Sequence, residues 1–132
     1  MDEKKLLNEI NTIAVVGISQ KEDKASNRVS KYMQEKGYRI IPVNPNYDEV
    51  LGEKAYKNLK EIPESEGVEL VNIFRPSEEV SAIVEETLPL GVKGIWMQEG
   101  ISDDESKKLA ENKGITVIMD KCIMKRHKAL FS

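Results

Sequence analysis

The fold is decided by two stretches of sequence, Ile13-Ala-Val-Val-Gly-Ile-Ser19 and Arg39-Ile-Ile-Pro-Val-Asn-Pro45. Each is a short apolar run rich in β-branched residues, which is typical of a strand covered on both faces of a parallel sheet. A helical pattern separates the two runs, so together they predict a βαβ unit. The first run ends in Gly-x-Ser, where a glycine lets the backbone approach a phosphate at the start of the following helix.

Apolar runs and helical patterns alternate along all 132 residues, without a linker or an internal repeat. We therefore predict one α/β domain over residues 1–132, with a Rossmann-like, doubly wound parallel sheet of five strands. The strands are predicted at 13–18, 39–43, 70–74, 94–97 and 115–119, and the helices at 6–11, 26–36, 76–88, 102–114 and from 124 onward. Residues 46–66 are predicted to be irregular, with a short helix near Leu59.

Serine and acidic residues mark the predicted helix starts, and glycine marks a helix end. Gly37 lies where a left-handed residue would end the first long helix. Leu109 is expected on the inner face of the fourth helix. The predicted capping residues are Ser26 or Asn27, Ser77, and the Ser102–Glu105 capping box.

Composition excludes several classes of protein. The formal net charge of -3 gives no general attraction to nucleic acid or to an anionic membrane. A single cysteine permits no internal disulfide, which favours a reducing compartment. The charged N-terminus has no apolar segment behind it, and no apolar run approaches the ~20 residues that span a bilayer. We expect a cytoplasmic protein without a membrane segment.

Ligands of doubly wound sheets bind at the carboxyl ends of the strands, near the point where the strand order reverses. Polar residues and glycines concentrate at these predicted ends. The candidates there are Gly17, Ser19, Asn44, Pro45, Phe74, Arg75, Pro76, Gln98, Gly100 and Cys122, and the loop and helix start after the first strand add Lys24, Ser26 and Arg28. Turn residues at strand ends are the alternative interpretation, but the location of sites in this architecture favours a binding edge.

The first loop is the phosphate candidate, although it lacks the later glycines of the G-x-G-x-x-G fingerprint. Cations near the start of a helix are unfavourable unless an anion binds there, and this loop holds Lys21 and Lys24, followed by Arg28. The alternative for the two lysines, and the better one for either alone, is a solvated loop. Ser26 fits a phosphate donor and a helix cap equally well. The second strand ends in Asn44-Pro45 without the carboxylate that NAD requires on its ribose, so the sequence disfavours NAD.

Catalytic machinery is not evident. His127 is the only histidine and Cys122 the only cysteine, so a zinc site of several such ligands is excluded. Their spacing of five residues would point them in different directions on a helix, which disfavours a Cys–His nucleophile pair. We predict no catalytic residue and no metal site. Two alternatives stay open for Cys122: a packed, inert side chain, or a thiol activated by Lys121 and able to form a mixed disulfide with a ligand thiol.

Taken together, several segments resemble the small stand-alone CoA-binding domain proteins, relatives of the N-terminal domain of the succinyl-CoA synthetase alpha subunit. The resemblance covers nearly the whole chain. The segments are Val15-Val-Gly-Ile-Ser19, Ser26-Asn-Arg-Val29, Gly37-Tyr-Arg-Ile-Ile-Pro-Val-Asn-Pro45, Leu51-Gly-Glu-Lys-Ala-Tyr56, Val71-Asn-Ile-Phe-Arg-Pro76, Ile95-Trp-Met-Gln-Glu-Gly-Ile101 and Val117-Ile-Met-Asp-Lys-Cys122.

The resemblance implies a Rossmann-like sheet that binds coenzyme A, with no established reaction for the stand-alone members. By position it implies that Gly17 and Ser19 meet the pyrophosphate, with Ser26, Arg28 and Val29 beside it. It also places Asn44 and Pro45 near the nucleotide, Phe74, Arg75 and Pro76 along the cleft, and Gln98 and Gly100 on the pantetheine side. Lys121 and Arg126 replace the family's usual arginine and glutamate, so we expect His127 to be structural.

Three interpretations remain open at this point. The first is a module that binds CoA or an acyl-CoA without catalysis. A homo-oligomer is an open option for this module. The second is an enzyme, or a subunit of one, that acts on an acyl-CoA. The third is a degenerate nucleotide-binding fold that serves protein association.

Overall fold

The computed structural model describes residues 1–132 and contains the predicted parallel sheet. Its strands are β1 (Thr12–Val16), β2 (Arg39–Val43), β5 (Leu70–Ile73), β6 (Gly94–Met97) and β7 (Thr116–Ile118). They lie in the order β2-β1-β5-β6-β7, and every neighbouring pair is parallel. A small antiparallel hairpin, β3 (Glu49–Val50) and β4 (Glu53–Lys54), falls inside the segment predicted to be irregular. The predicted fold class is confirmed.

Five α-helices cover the two faces of this sheet. They are α1 (Glu3–Glu9), α2 (Ala25–Glu35), α3 (Ser77–Thr87), α4 (Asp104–Glu111) and α5 (Ile123–Phe131), with 3₁₀ turns at 59–61, 64–66 and 88–90. The helix α1 begins three residues earlier than predicted because Asp2 caps it, accepting a hydrogen bond from the Lys5 N–H at 2.8 Å. None of the helices has the length and apolar character needed to cross a membrane.

Alternate residues of each strand enter two separate apolar clusters, one on each face of the sheet. Ile13 and Val15 pack in the cluster that holds α1, α2 and α5, whereas Ala14 between them packs in the cluster that holds α3 and α4. Trp96 is fully buried in the first cluster, and its indole N–H donates to the Lys121 carbonyl at 2.7 Å. Both faces are therefore covered, as the continuous apolar runs predicted.

Three predicted capping roles are wrong, because the helices begin at other residues and, in two cases, the side chains bond groups outside their own helix. The helix α2 begins at Ala25 after Lys24, so neither Ser26 nor Asn27 caps it. Ser77 lies inside α3, and its hydroxyl accepts the Ser102 N–H at 3.1 Å. The helix α4 is preceded by Asp103, which leaves the predicted Ser102–Glu105 box out of register.

Two further sequence predictions have opposite outcomes. Gly37 has φ +99° and ends α2, as predicted, and the Tyr38 N–H returns to the Met33 carbonyl at 3.1 Å. The prediction that Leu109 lies on the inner face is wrong, because its side chain is 42% exposed while its neighbour Ala110 is fully buried. The face of α4 that contacts the sheet is thus rotated by one residue from the predicted one.

Candidate functional site

The strand order reverses between β1 and β5, which places the ends of these two strands at the switch point of the sheet. The Gly17 N–H donates to the Val43 carbonyl, and the Phe74 N–H donates to the Val16 carbonyl, both at 2.9 Å. A Cβ atom on Gly17 would lie 2.7 Å from both the Phe74 carbonyl oxygen and the Arg75 Cδ. Gly17 also has φ +90°, so the close approach of the chain's own backbone already requires glycine here.

The loop after Gly17 is held in place by side chains of α2 and of the β2 end. The Ser19 N–H donates to Ser26 Oγ at 3.0 Å, and Asn27 Nδ2 donates to the Ser19 carbonyl at 2.8 Å. Asn44 Nδ2 donates to the Ile18 carbonyl at 2.9 Å. Ser26 and Asn27 are buried. Ser26 is therefore an anchor of this loop, a role that tertiary contact gives it and that local sequence does not indicate.

The start of α2 lies at this edge of the sheet beside the basic residues Lys24 and Arg28. It has no acidic residue in its first turn, as the start of α5 also has none, and Lys24 makes no side-chain cap there. By contrast, the first turn of α3 contains Glu78 and Glu79. The guanidinium of Arg28 donates to the Asp23 carbonyl and stays beside the loop. Free N–H groups, the helix dipole and these cations together favour an anion at this end of α2.

One cleft opens between the end of β2, residues 57–59 and α3, and we call it the polar cleft. Its volume is about 260 Å³. Arg75 contributes a guanidinium to its wall, which makes two hydrogen bonds to the Glu79 carboxylate, at 2.8 and 3.1 Å. These hydrogen bonds raise the pKa of Arg75. The lining residues are Val16, Gly17, Val43, Asn44, Pro45, Asn46, Lys57, Asn58, Leu59, Arg75, Glu79, Ile83 and Glu86.

A second cleft of about 320 Å³ opens beside the start of α2, and we call it the apolar cleft. Its rim is fixed by Asp120, whose carboxylate accepts the Gly100 N–H at 2.6 Å and whose φ of +58° is unusual for a non-glycine residue. Cys122 is 6% exposed and precedes the first residue of α5. The lining residues are Ala25, Val29, Phe74, Gln98, Glu99, Ile101 and Cys122.

The structure brings most of the predicted site residues to the polar cleft, the apolar cleft and the loop between them, and leaves Pro76 and Gly100 beside these regions. Gly17, Asn44, Pro45 and Arg75 line the polar cleft, and Val29, Phe74, Gln98 and Cys122 line the apolar cleft. Ser19, Lys24, Ser26 and Arg28 belong to the loop and the start of α2, Pro76 precedes α3, and Gly100 lies in the turn held by Asp120. The sequence did not point to Lys57 or Asn58, because they come from a segment without a recognisable motif, and Ile101 was not named although it ends a segment that carries the resemblance.

His127 lies outside both clefts, on α5, where it contacts α2. Its Nδ1 is 2.8 Å from the hydroxyl of Tyr32, and its ring stacks on Phe131 with the ring centres 4.7 Å apart. Burial lowers the pKa of His127, and the nearby Lys36 charge lowers it further. These contacts give the histidine a packing role between two helices. No group of three or more His, Cys, Asp or Glu side chains is arranged to hold a metal ion.

Comparison with known proteins decides the family. A model of the CoA binding domain matches residues 11–128. The chain belongs to this CoA-binding domain family. It is 45% identical to the uncharacterized protein YneT of Bacillus subtilis (strain 168), over 94% of this chain and 90% of that one.

Two further relatives of this CoA-binding domain chain differ in length, one being much longer than the chain and the other of similar size. It is 34% identical to the alpha subunit of an ADP-forming acetate–CoA ligase II of Pyrococcus furiosus, over 84% of this chain but only 26% of that subunit. The solved structure of the protein ID.343 from Thermus thermophilus superposes with a TM-score of 0.92 at 34% identity, covering 99% of this chain and 100% of that one. The chain is thus homologous to one part of the ligase subunit and matches the small protein over its whole length.

Proposed function

We propose that this protein binds coenzyme A, free or acylated, across the carboxyl edge of its sheet and acts as a binding module without catalysis. The carrying observation is the loop of residues 18–24, which joins Gly17 in the polar cleft to Ala25 in the apolar cleft. None of Lys21, Lys24 and Arg28 in or beside this loop forms an ion pair. A diphosphate at this point would have a polar group on one side and an apolar chain on the other.

Coenzyme A has this distribution of chemistry along its length. Its nucleotide would occupy the polar cleft beside Asn44 and Pro45, its pyrophosphate would meet Ser19 and the start of α2, and its pantetheine arm would follow the apolar cleft. Membership of the CoA-binding domain family supports this choice of ligand. The second strand also ends in asparagine and proline, with no acid for the ribose of NAD. A cytoplasmic location and a homo-oligomeric state remain predictions from the sequence and the family resemblance.

Two measurements test the proposal. Mass spectrometry of the purified native protein should detect coenzyme A that is released on denaturation. Added coenzyme A should raise the melting temperature with the logarithm of its concentration, since a ligand at one hundred times its Kd adds about 2.7 kcal/mol of stability. NAD and NADP are the matched controls and should have little effect. A larger shift with NAD would overturn the ligand assignment.

The same preparation separates the two alternatives. Steady turnover of an acyl-CoA from a panel of thioesters would favour an enzyme and would contradict the absence of catalysis. Failure to bind any nucleotide, in a protein that melts cooperatively, would favour a role in protein association. The expected result is binding without turnover, because neither cleft contains a histidine and the Glu79 carboxylate of the polar cleft is already held by Arg75.

A further inference from the structure

A buried amide lies in the middle of the sheet, where an apolar side chain would be expected. Asn72 belongs to β5, the central one of the five strands, and is 2% exposed. Its neighbours in register are Val15 and Trp96, and every other residue of β5 is apolar. Burying a carboxamide costs free energy unless all its polar atoms find partners. Asn72 therefore calls for a partner.

Gln98 supplies half of that partnership. It follows β6, is 4% exposed, and its Nε2 donates to Asn72 Oδ1 at 2.7 Å. This hydrogen bond uses one polar atom of each amide. No protein group donates to Gln98 Oε1, and none accepts from Asn72 Nδ2. Neither atom is sealed off from solvent, so the pair keeps one free acceptor and one free donor.

One member of the pair, Gln98, borders the apolar cleft, and Asn72 lies directly behind it. Gln98 lines this cleft together with Val29, Phe74 and Cys122. A secondary amide carries an N–H donor and a C=O acceptor, which are the partners that Gln98 Oε1 and Asn72 Nδ2 lack. The surrounding walls suit the methylene groups on either side of such an amide. A pair with a purely structural role would account for the hydrogen bond between Gln98 Nε2 and Asn72 Oδ1. It would not account for Gln98 Oε1 and Asn72 Nδ2, which have no partner in the protein.

We propose that the Asn72–Gln98 pair recognises a secondary amide of the ligand chain that enters the apolar cleft. The inference rests on the proposed function, in which this chain is the pantetheine arm of coenzyme A, which contains such amides. It assigns Asn72, a strand residue outside the predicted site, to ligand recognition. It also explains why the middle of the sheet keeps a polar pair where two apolar side chains would pack without cost.

Calorimetry with two ligands tests the inference. Coenzyme A contains the arm, and 3′-phosphoadenosine 5′-diphosphate is the same nucleotide without it. Gln98→Met and Asn72→Leu should each weaken coenzyme A binding about tenfold, because one buried hydrogen bond to the ligand is lost and a partner is left unpaired. Binding of the armless nucleotide should change less than about twofold. The control Gln34→Met removes a glutamine that bonds only the Leu51 carbonyl, outside both clefts, and should change neither affinity.

The outcomes separate this inference from the proposed function. A wild-type protein that binds neither ligand overturns both. If the wild-type protein binds coenzyme A, the variants decide the role of the pair. Folded variants that keep the wild-type affinity for coenzyme A, or that lose affinity for both ligands equally, overturn only that role. If the variants do not fold, the test uses the wild-type protein with a chemically altered ligand. A coenzyme A analogue with esters in place of the pantetheine amides should bind the wild-type protein about tenfold more weakly, and equal affinity would overturn the inference.

Discussion

The polar cleft and the apolar cleft lie at the same edge of the sheet but are built from its two different faces. Val16, Val43 and Ile83 of the polar cleft belong to the cluster under α3 and α4. Val29 and Cys122 of the apolar cleft belong to the cluster under α1, α2 and α5. A ligand that fills both clefts must therefore cross the edge of the sheet at the switch point, where Gly17 lies.

The two clefts also differ in how their charge is balanced. In the polar cleft Arg75 is neutralised by Glu79 one helical turn away, and each side chain is 45% exposed, so this pair adds only about 0.3–0.5 kcal/mol to stability. In the apolar cleft the polar atoms that matter are the uncharged amides of Gln98 and its partner Asn72. Between the clefts, Lys21, Lys24 and Arg28 form no ion pair, and the same loop also contains the acidic Glu22 and Asp23. Lys57 is a further cation without an ion pair, and it lies in the polar cleft. Each part of the edge thus suits a different section of one elongated ligand.

The crossing point should be the most sensitive position in the chain. In Gly17→Ala the new Cβ meets the Phe74 carbonyl at 2.7 Å with φ at +90°, so we expect the free energy of unfolding to fall by about 3 kcal/mol. Coenzyme A binding should be lost with it. Gly37→Ala is the control, because Gly37 has a similar φ of +99° but open space around it, and it should lose about 1 kcal/mol. Equal losses in urea denaturation would show that backbone crowding at Gly17 is unimportant.

The loop between the clefts should carry the salt dependence of binding. Arg28→Ala should weaken coenzyme A about fivefold and should flatten the dependence of affinity on ionic strength, since an exposed cation near a phosphate is screened by salt. Arg39→Ala removes the same charge at the start of β2, where Arg39 pairs with Glu66, and should leave the affinity unchanged. Equal salt dependence in wild type and Arg28→Ala, measured by calorimetry, would place the phosphate elsewhere.

The sequence was sufficient for the sheet and for the edge that carries the site, because continuous apolar runs have few alternatives to buried parallel strands. It was insufficient for the hairpin β3–β4, whose strands of two residues are too short to show a period. Helix caps failed for a different reason. A serine that suits a cap locally was taken by a distant partner, as Ser26 was by the Ser19 N–H.

The chemistry inside the clefts depends on pairings that the sequence does not show. Gln98 was a candidate from its place at a strand end, and Asn72 interrupts an apolar strand, but the two are 26 residues apart and nothing in the sequence pairs them. The motif around Gly17 was recognised, but the structure gives its glycine a different cause. The close approach of the Phe74 carbonyl already requires glycine at this position, before any ligand is considered. Periodicity reports which face is buried; it does not report which polar atoms remain unpaired once the strands have assembled.

Acid should loosen the apolar side before the polar side, because His127 belongs to α5, which packs on the same face of the sheet as the apolar cleft. The folded pKa of His127 on α5 is lowered by burial and by Lys36, so the unfolded chain takes up this proton first as the pH falls through the ordinary value of 6.5. The free energy of unfolding should therefore decline between pH 6.5 and the lower folded pKa. The variant His127→Gln should lack this decline in the free energy of unfolding.

Glu3 changes its protonation in a separate, lower pH range. Burial raises its pKa, but hydrogen bonds from Arg126 and Lys121 outweigh burial and lower it, so its contribution persists above the ordinary value of 4.5 and is lost as the pH falls further. Burial likewise raises the pKa of Glu69, and hydrogen bonds outweigh it and lower that pKa, so urea denaturation at pH 7.0, 5.5 and 4.0 separates His127 from these two carboxylates. A wild-type decline above pH 5 that persists in His127→Gln would contradict this assignment.

The smallest effect concerns the thiol, which only the apolar cleft contains. Of the two alternatives for Cys122, the structure favours the packed one, because the side chain is 6% exposed inside an apolar cluster and Lys121 is paired with Glu3 at 2.9 Å. After incubation with coenzyme A disulfide, intact-mass analysis should find the native protein unmodified and the denatured protein fully reactive. An adduct on the native protein that disappears with reductant and in Cys122→Ser would instead show attack of this thiolate on the disulfide, with release of one coenzyme A thiol. That result would mean that the bound arm reaches Cys122 past the Asn72–Gln98 pair, and it would make the apolar cleft reactive as well as selective.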